Sequence, residues 1–115
     1  MASFATLLRN RLKHAGFTVP DHVFGLRWSG AMTTARIRGI IENLPEGLSE
    51  IYLHPATAPG FEGAAPGYRY AEELAALVSP EVIRAARNPA IKLGGFSDFG
   101  MTDTPTPEHQ LLSAA

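Results

Sequence analysis

The sequence predicts an α/β fold built from parallel βα units. Three observations carry this. Short apolar segments at residues 22–26, 49–53 and 90–93 have the length and composition of strands. Between them lie stretches whose apolar residues recur at i, i+3, i+4 and i+7, the helical period. Proline- and glycine-bearing turns separate the two kinds of segment. Strands that alternate with helices pair in parallel, because each helix carries the chain back along the sheet.

The elements follow in order. Ser3 is placed to cap a helix that runs to about Ala15, and Gly16 is a natural stop. Phe4, Leu7, Leu8, Leu12 and Ala15 form its apolar stripe. Thr18, Pro20 and Asp21 make a turn into the first strand, and Trp28, Ser29 and Gly30 leave that strand. A second helix is expected from about Met32 to Leu44, with Ile37, Ile40, Ile41 and Leu44 on its core face. Pro45, Glu46 and Gly47 end it. The second strand stops at His54-Pro55, since proline cannot donate to a ladder.

Residues 56–68 hold Pro59, Gly60, Gly63, Pro66 and Gly67 and read as a long loop. Loops of this length inside a compact domain are usually functional. A helix over 70–78 is expected to turn Leu74, Leu77 and Val78 inward. Ser79 caps a further short helix to about Arg87, with Pro80 in its first position. Asn88-Pro89 turns the chain into the third strand, which Gly94, Gly95, Phe96, Ser97 and Asp98 leave. From Gly100 to Ala115 the chain is Thr- and Pro-rich, and a disordered tail is expected there.

Composition narrows the function. With 115 residues the chain fits one domain, and 45% hydrophobic against 18% charged residues is a globular balance. Ten basic and eleven acidic residues give a net charge of −1, so no basic field exists to hold nucleic acid. The absence of cysteine excludes disulfide scaffolds, cysteine–zinc sites and thiol nucleophiles. No apolar run approaches the roughly 20 residues of a membrane span. The stretch before Pro20 lacks acids and carries Arg9, Arg11, Lys13 and His14, a pattern shared by transit peptides and by basic surface helices. The surface helix is the reading adopted, and a cytoplasmic location is the default expectation.

In parallel α/β folds, ligands meet the C-terminal ends of the strands. His54 is the sharpest residue at these exits. Imidazole can give or take a proton near neutral pH, and Pro55 would hold it rigidly. Spacing alone favours the plainer alternative, a structural histidine that bonds a loop carbonyl. His14, His22 and His109 occupy a helix end, a turn and the tail. Tyr68, Arg69 and Tyr70 suit either cover over a sugar or packing over the loop, and Phe61 is a lid residue or a plug. Asp98 reads as a turn cap. Trp28-Ser29-Gly30 lacks the spacing of a nucleophile elbow, and Gly94-Gly95 lacks the rest of a phosphate loop.

The segment Glu50-Ile-Tyr-Leu-His-Pro-Ala56 resembles the YdjC-like carbohydrate deacetylases, and so do Tyr68-Arg-Tyr-Ala-Glu-Glu-Leu-Ala-Ala-Leu77 and Leu93-Gly-Gly-Phe-Ser-Asp98. Together with Val23-Phe-Gly-Leu-Arg-Trp-Ser-Gly-Ala-Met32, these segments are most similar to the hopanoid-biosynthesis-associated branch. The resemblance spans about residues 5–99. It implies a (β/α) barrel-like fold and hydrolysis of an N-acetyl group from an amino sugar, or from a glycolipid that carries one. It implies a divalent metal held by an Asp and two His, starting from an Asp-Asp motif that this sequence lacks. A complete barrel takes about 250 residues. Residues 1–99 are therefore expected to form the C-terminal arc of such a barrel, completed by an N-terminal half or a second copy. By the same resemblance His54 is the catalytic histidine, as general acid or oxyanion support; Trp28, Tyr68 and Tyr70, at the first strand exit and the end of the long loop, are the expected substrate contacts. Ala56 stands where the family commonly has glycine, and Tyr70 where it has arginine.

Overall fold

A computed structural model describes residues 2–100 of the chain. They fall into two compact units. The larger spans residues 20–93, and the smaller joins residues before Pro20 to those from Gly94 onward.

The smaller unit contains helix α1, Phe4–His14. Ser3 caps it by accepting from the Thr6 N–H at 3.2 Å. Its end is a Schellman turn: the N–H of Phe17 reaches the Leu12 carbonyl at 3.0 Å, and that of Gly16 reaches Lys13 at 3.1 Å. Gly16 has φ 89°, which glycine adopts without a Cβ clash. The expected stripe forms, but Phe4, Leu7 and Leu8 stand exposed. Residues Phe96–Asp98 make a single 3-10 turn, and Asp98 closes it from its own last position, its Oδ2 accepting from the Gly95 N–H at 2.7 Å.

The larger unit is a βαβ unit followed by a helix pair. Strand β1, His22–Phe24, pairs in parallel with β2, Ser49–Ile51, and His22 lies opposite Ser49. The crossover between them is helix α2, Thr34–Glu42, capped by Thr33. Asp21 secures the entry to the sheet, because its Oδ2 accepts from the Leu48 N–H at 2.9 Å just ahead of β2. After a loop come α3, Tyr70–Leu77, and α4, Pro80–Ala86, with Ser79 capping α4 as its sequence predicts. The core is Met32, Ile37, Ala76 and Val82, with Ile40, Ile41, Ile51, Leu53 and Leu77 packed around it. The expected inner face of α2 is thus the one that packs, and α3 and α4 close over it.

Two expectations fail. Residues 90–93 form no strand, so the described residues hold a two-stranded sheet. The backbone there is committed to the Asn88 turn: Ala90 N–H bonds the Asn88 side chain at 3.0 Å, and Ile91 N–H bonds the Asn88 carbonyl at 2.9 Å. Leu93 is exposed with no ladder beside it. The face of α3 is also rotated. Tyr70, Glu73 and Ala76 are the buried positions, and Val78 is 61% exposed. Leu77 packs on the core as expected, but Val78 does not, and a glutamate occupies the most buried position of the helix. Residues 101–115, which include His109 and almost all of the expected tail, lie outside the described residues.

Candidate active site

The first two strand exits and the start of α3 converge in the larger unit. β1 ends at Gly25, where φ is 100° and the chain turns into a 3-10 helix at Leu26–Trp28. A Cβ on Gly25 would collide with the Tyr52 carbonyl, so the two exits approach as closely as a glycine allows. Gly30 has φ 76°, and a Cβ there would run into the Tyr68 side chain. Its carbonyl accepts from the Arg69 N–H at 2.8 Å. Two glycines therefore let the β1 exit lie against the β2 exit and against the end of the long loop.

His54 sits in this junction between two tyrosines. Its ring meets Tyr52 edge-on with centroids 4.6 Å apart, and Tyr68 edge-on at 5.0 Å. Both distances lie in the favourable range for edge-to-face pairs. The ring stack continues from Tyr68 to Tyr70 at 5.8 Å and from Tyr70 to Phe61 at 4.8 Å. The His54 Nδ1 is sealed from solvent and has no hydrogen-bond partner. A carbonyl bond of the plainer, structural kind would therefore have to come from Nε2. An unsatisfied buried nitrogen costs on the order of 1–3 kcal/mol, and sites that tolerate the cost are commonly functional.

The backbone of His54 is held as firmly as its ring. Glu73, 1% exposed, spans the exits with its carboxylate. Its Oε2 accepts from the His54 N–H at 3.2 Å, and its Oε1 accepts from the Met32 N–H at 3.3 Å. Sequence reasoning passed over Glu73, although its spacing from Tyr70 and Ala76 puts it on their face. It also passed over Tyr52, which stands two residues before His54 in extended chain and so shares its side.

The remaining expected residues divide. Tyr68 and Tyr70 join His54 in the ring stack. Tyr70 is buried, and its hydroxyl accepts from the Ala65 N–H at 2.8 Å, which ties the glycine-rich loop to α3. The Ala56 N–H bonds the Tyr70 carbonyl at 3.2 Å and anchors the other end of the same loop. Trp28 makes its ring contact elsewhere, under the Arg36 guanidinium at 5.0 Å. That guanidinium also donates to the Ala31 carbonyl at 2.7 Å.

A family model described as YdjC-like protein matches residues 1–88. The chain belongs to the YdjC-like family. This family is of the carbohydrate-deacetylase type. The match takes in His54 and every ring that surrounds it, along with Glu73 and Trp28, and ends before the Gly94–Asp98 segment. No curated protein and no solved structure matches the chain.

The divalent metal that the sequence resemblance implies does not fit the donors among the described residues of this YdjC-like chain. Among the described residues no three His, Asp or Glu side chains gather. Glu73, the carboxylate bonded to the His54 segment, has both oxygens engaged by backbone N–H groups. One imidazole and a committed carboxylate are too few donors for a divalent cation. No helix among the described residues is long and apolar enough to cross a membrane.

Proposed function

We propose that this chain supplies the histidine wall of a carbohydrate N-deacetylase site, with His54 as the acid. The reaction is amide hydrolysis. Water adds to the acetyl carbonyl, the tetrahedral intermediate collapses, the C–N bond breaks, and the sugar nitrogen takes up a proton as acetate leaves. An imidazole near the scissile nitrogen can deliver that proton or support the developing oxyanion. The single observation that carries this reading is His54, clamped edge-on by Tyr52 and Tyr68 with its Nδ1 buried and unpaired.

The rings around it support an amino-sugar substrate. Tyr68 and the 40% exposed Tyr52 border the imidazole with apolar surface, which suits the C–H face of an amino-sugar ring. Tyr70 contributes by holding the loop, and Trp28, whose ring packs under Arg36, is retained as a substrate contact on its place after β1. A hopanoid-linked glycolipid is the substrate suggested by the branch that the sequence most resembles. In that reading the βαβ unit is one arc of a (β/α) barrel, and metal binding and water activation belong to residues that a separate half provides.

The test is deacetylation of N-acetylated amino sugars by the assembled enzyme. Replacing His54 with alanine lowers turnover while bound metal is unchanged. Loss of metal together with activity would reassign His54 as a ligand.

A second reading, a non-catalytic interaction module, is favoured by the missing metal donors and by the lone two-stranded sheet, which has no third strand among the described residues. Chelator-sensitive deacetylation by the pure 115-residue protein would remove it.

A further inference from the structure

We propose that Glu73 is the positioning residue of the site, setting the direction in which the His54 imidazole points. The proposal rests on the reading of His54 as the acid and adds what aims it. The carboxylate is the most deeply buried charged group among the described residues, yet no cation partners it. Its two oxygens instead take one N–H from each strand exit, Met32 beyond β1 and His54 beyond β2. A buried carboxylate is costly unless its oxygens are hydrogen-bonded, and here both are spent on the two strand exits. What the carboxylate supplies is geometry. It fixes the residue that bears the imidazole relative to the opposite exit.

The direction of the ring follows from that anchor. With the His54 backbone pinned at N, rotation about the Cα–Cβ bond is limited by Tyr52 on one side and Tyr68 on the other. Tyr68 is itself located by contact with Gly30, two residues before Met32. The Glu73 bond to Met32 therefore holds one jaw of the clamp, and its bond to His54 holds the object clamped. A glutamine at this position keeps one acceptor but turns an NH2 donor toward an N–H donor, so one of the two bonds is lost whichever way the amide faces.

The experiment is solution NMR of the full chain, comparing wild type with Glu73→Gln and Glu73→Asp. The readout is the set of NOEs from the His54 ring protons to the Tyr52 and Tyr68 ring protons, with the methyls of Ile37 and Val82 as controls for an intact core. Wild type is expected to show NOEs to both tyrosines. Glu73→Gln is expected to lose at least one set and to broaden the His54 ring signals while the core methyls hold their positions. Glu73→Asp, one methylene too short to reach both N–H groups, is expected to weaken the same NOEs. Unchanged His54 contacts in Glu73→Gln, with only a lower melting temperature, would overturn the proposal and leave Glu73 a purely structural residue. Should Glu73→Gln fail to fold, Glu73→Asp decides: unchanged ring NOEs in a folded variant overturn the proposal, and weakened ones support it. Because no turnover is measured, the outcome is separable from the deacetylase reading, which stands or falls with the His54→Ala assay.

Discussion

The Glu73 Oε2 accepts the His54 backbone N–H at 3.2 Å from within a helix nineteen residues further along the chain. The other oxygen of the same carboxylate accepts the Met32 N–H at 3.3 Å. A buried glutamate thus replaces the ladder bonds that the sheet no longer provides beyond its last paired residues, Phe24 and Ile51. Removing both acceptors leaves two backbone donors without partners in or near the core. Each costs about 1–3 kcal/mol. Glu73→Leu is expected to lower the unfolding free energy by at least about 2 kcal/mol, read as a fall in the urea midpoint. A midpoint equal to wild type would show that water takes over both donors.

Gly30 tests the closeness of the exits. Its φ of 76° and its contact with the Tyr68 ring both require a residue without a Cβ. Gly30→Ala adds a conformational cost of about 1–2 kcal/mol and pushes Tyr68 away from His54. The expected result is a lower melting temperature together with a changed near-ultraviolet dichroism from the tyrosine cluster. Gly60 meets nothing within 4 Å where its Cβ would stand and has an ordinary φ, so Gly60→Ala is the matched control and should leave both signals alone.

These relationships mark how far the sequence could be read. Local signals were legible. Ser3, Thr33 and Ser79 cap helices, Gly16 ends one, and Ile37, Ile40 and Ile41 form the packed face of α2. Each of these depends on neighbours within a turn or two. The third strand was not legible, because a strand exists only if something pairs with it, and residues 90–93 look the same with or without a neighbour. The inner face of α3 was misread for a related reason. Glu73 is buried by two N–H groups supplied from residues 41 and 19 positions away, and no local pattern announces them. Of the site, His54, Tyr68 and Tyr70 could be named from the sequence. Their arrangement around Tyr52 depends on Gly25 and Gly30, whose importance lies in what they nearly touch.

Tyr70 tests the loop. Its hydroxyl is the acceptor for the Ala65 N–H at 2.8 Å, while its ring remains packed against Phe61. Tyr70→Phe keeps the ring and deletes that acceptor, at a cost of about 0.5–1.5 kcal/mol. The loss should be local. Hydrogen exchange at the Ala65 amide is expected to speed up by about tenfold, the factor that 1.4 kcal/mol corresponds to, while exchange at the Ile37 amide stays as in wild type. Equal acceleration at both amides would mean that the hydroxyl supports the whole unit and not the loop alone.

His54 itself carries the sharpest contrast between stability and function. Its Nδ1 is buried without a partner, so the folded chain bears a desolvation cost that an apolar ring would not incur. Phenylalanine is close in shape, and it retains edge-to-face contact with Tyr52 and Tyr68. His54→Phe is therefore expected to raise the unfolding free energy by about 1 kcal/mol, measured by urea denaturation, even though a core substitution usually lowers it. If His54 is the proposed acid, the same variant abolishes deacetylation by the assembled enzyme, because the phenyl ring carries no proton to give. A residue kept at the expense of stability is what an acid group in a catalytic wall should look like. A destabilised His54→Phe would instead show that the imidazole nitrogen finds a partner in solution, and that its role is to hold the loop.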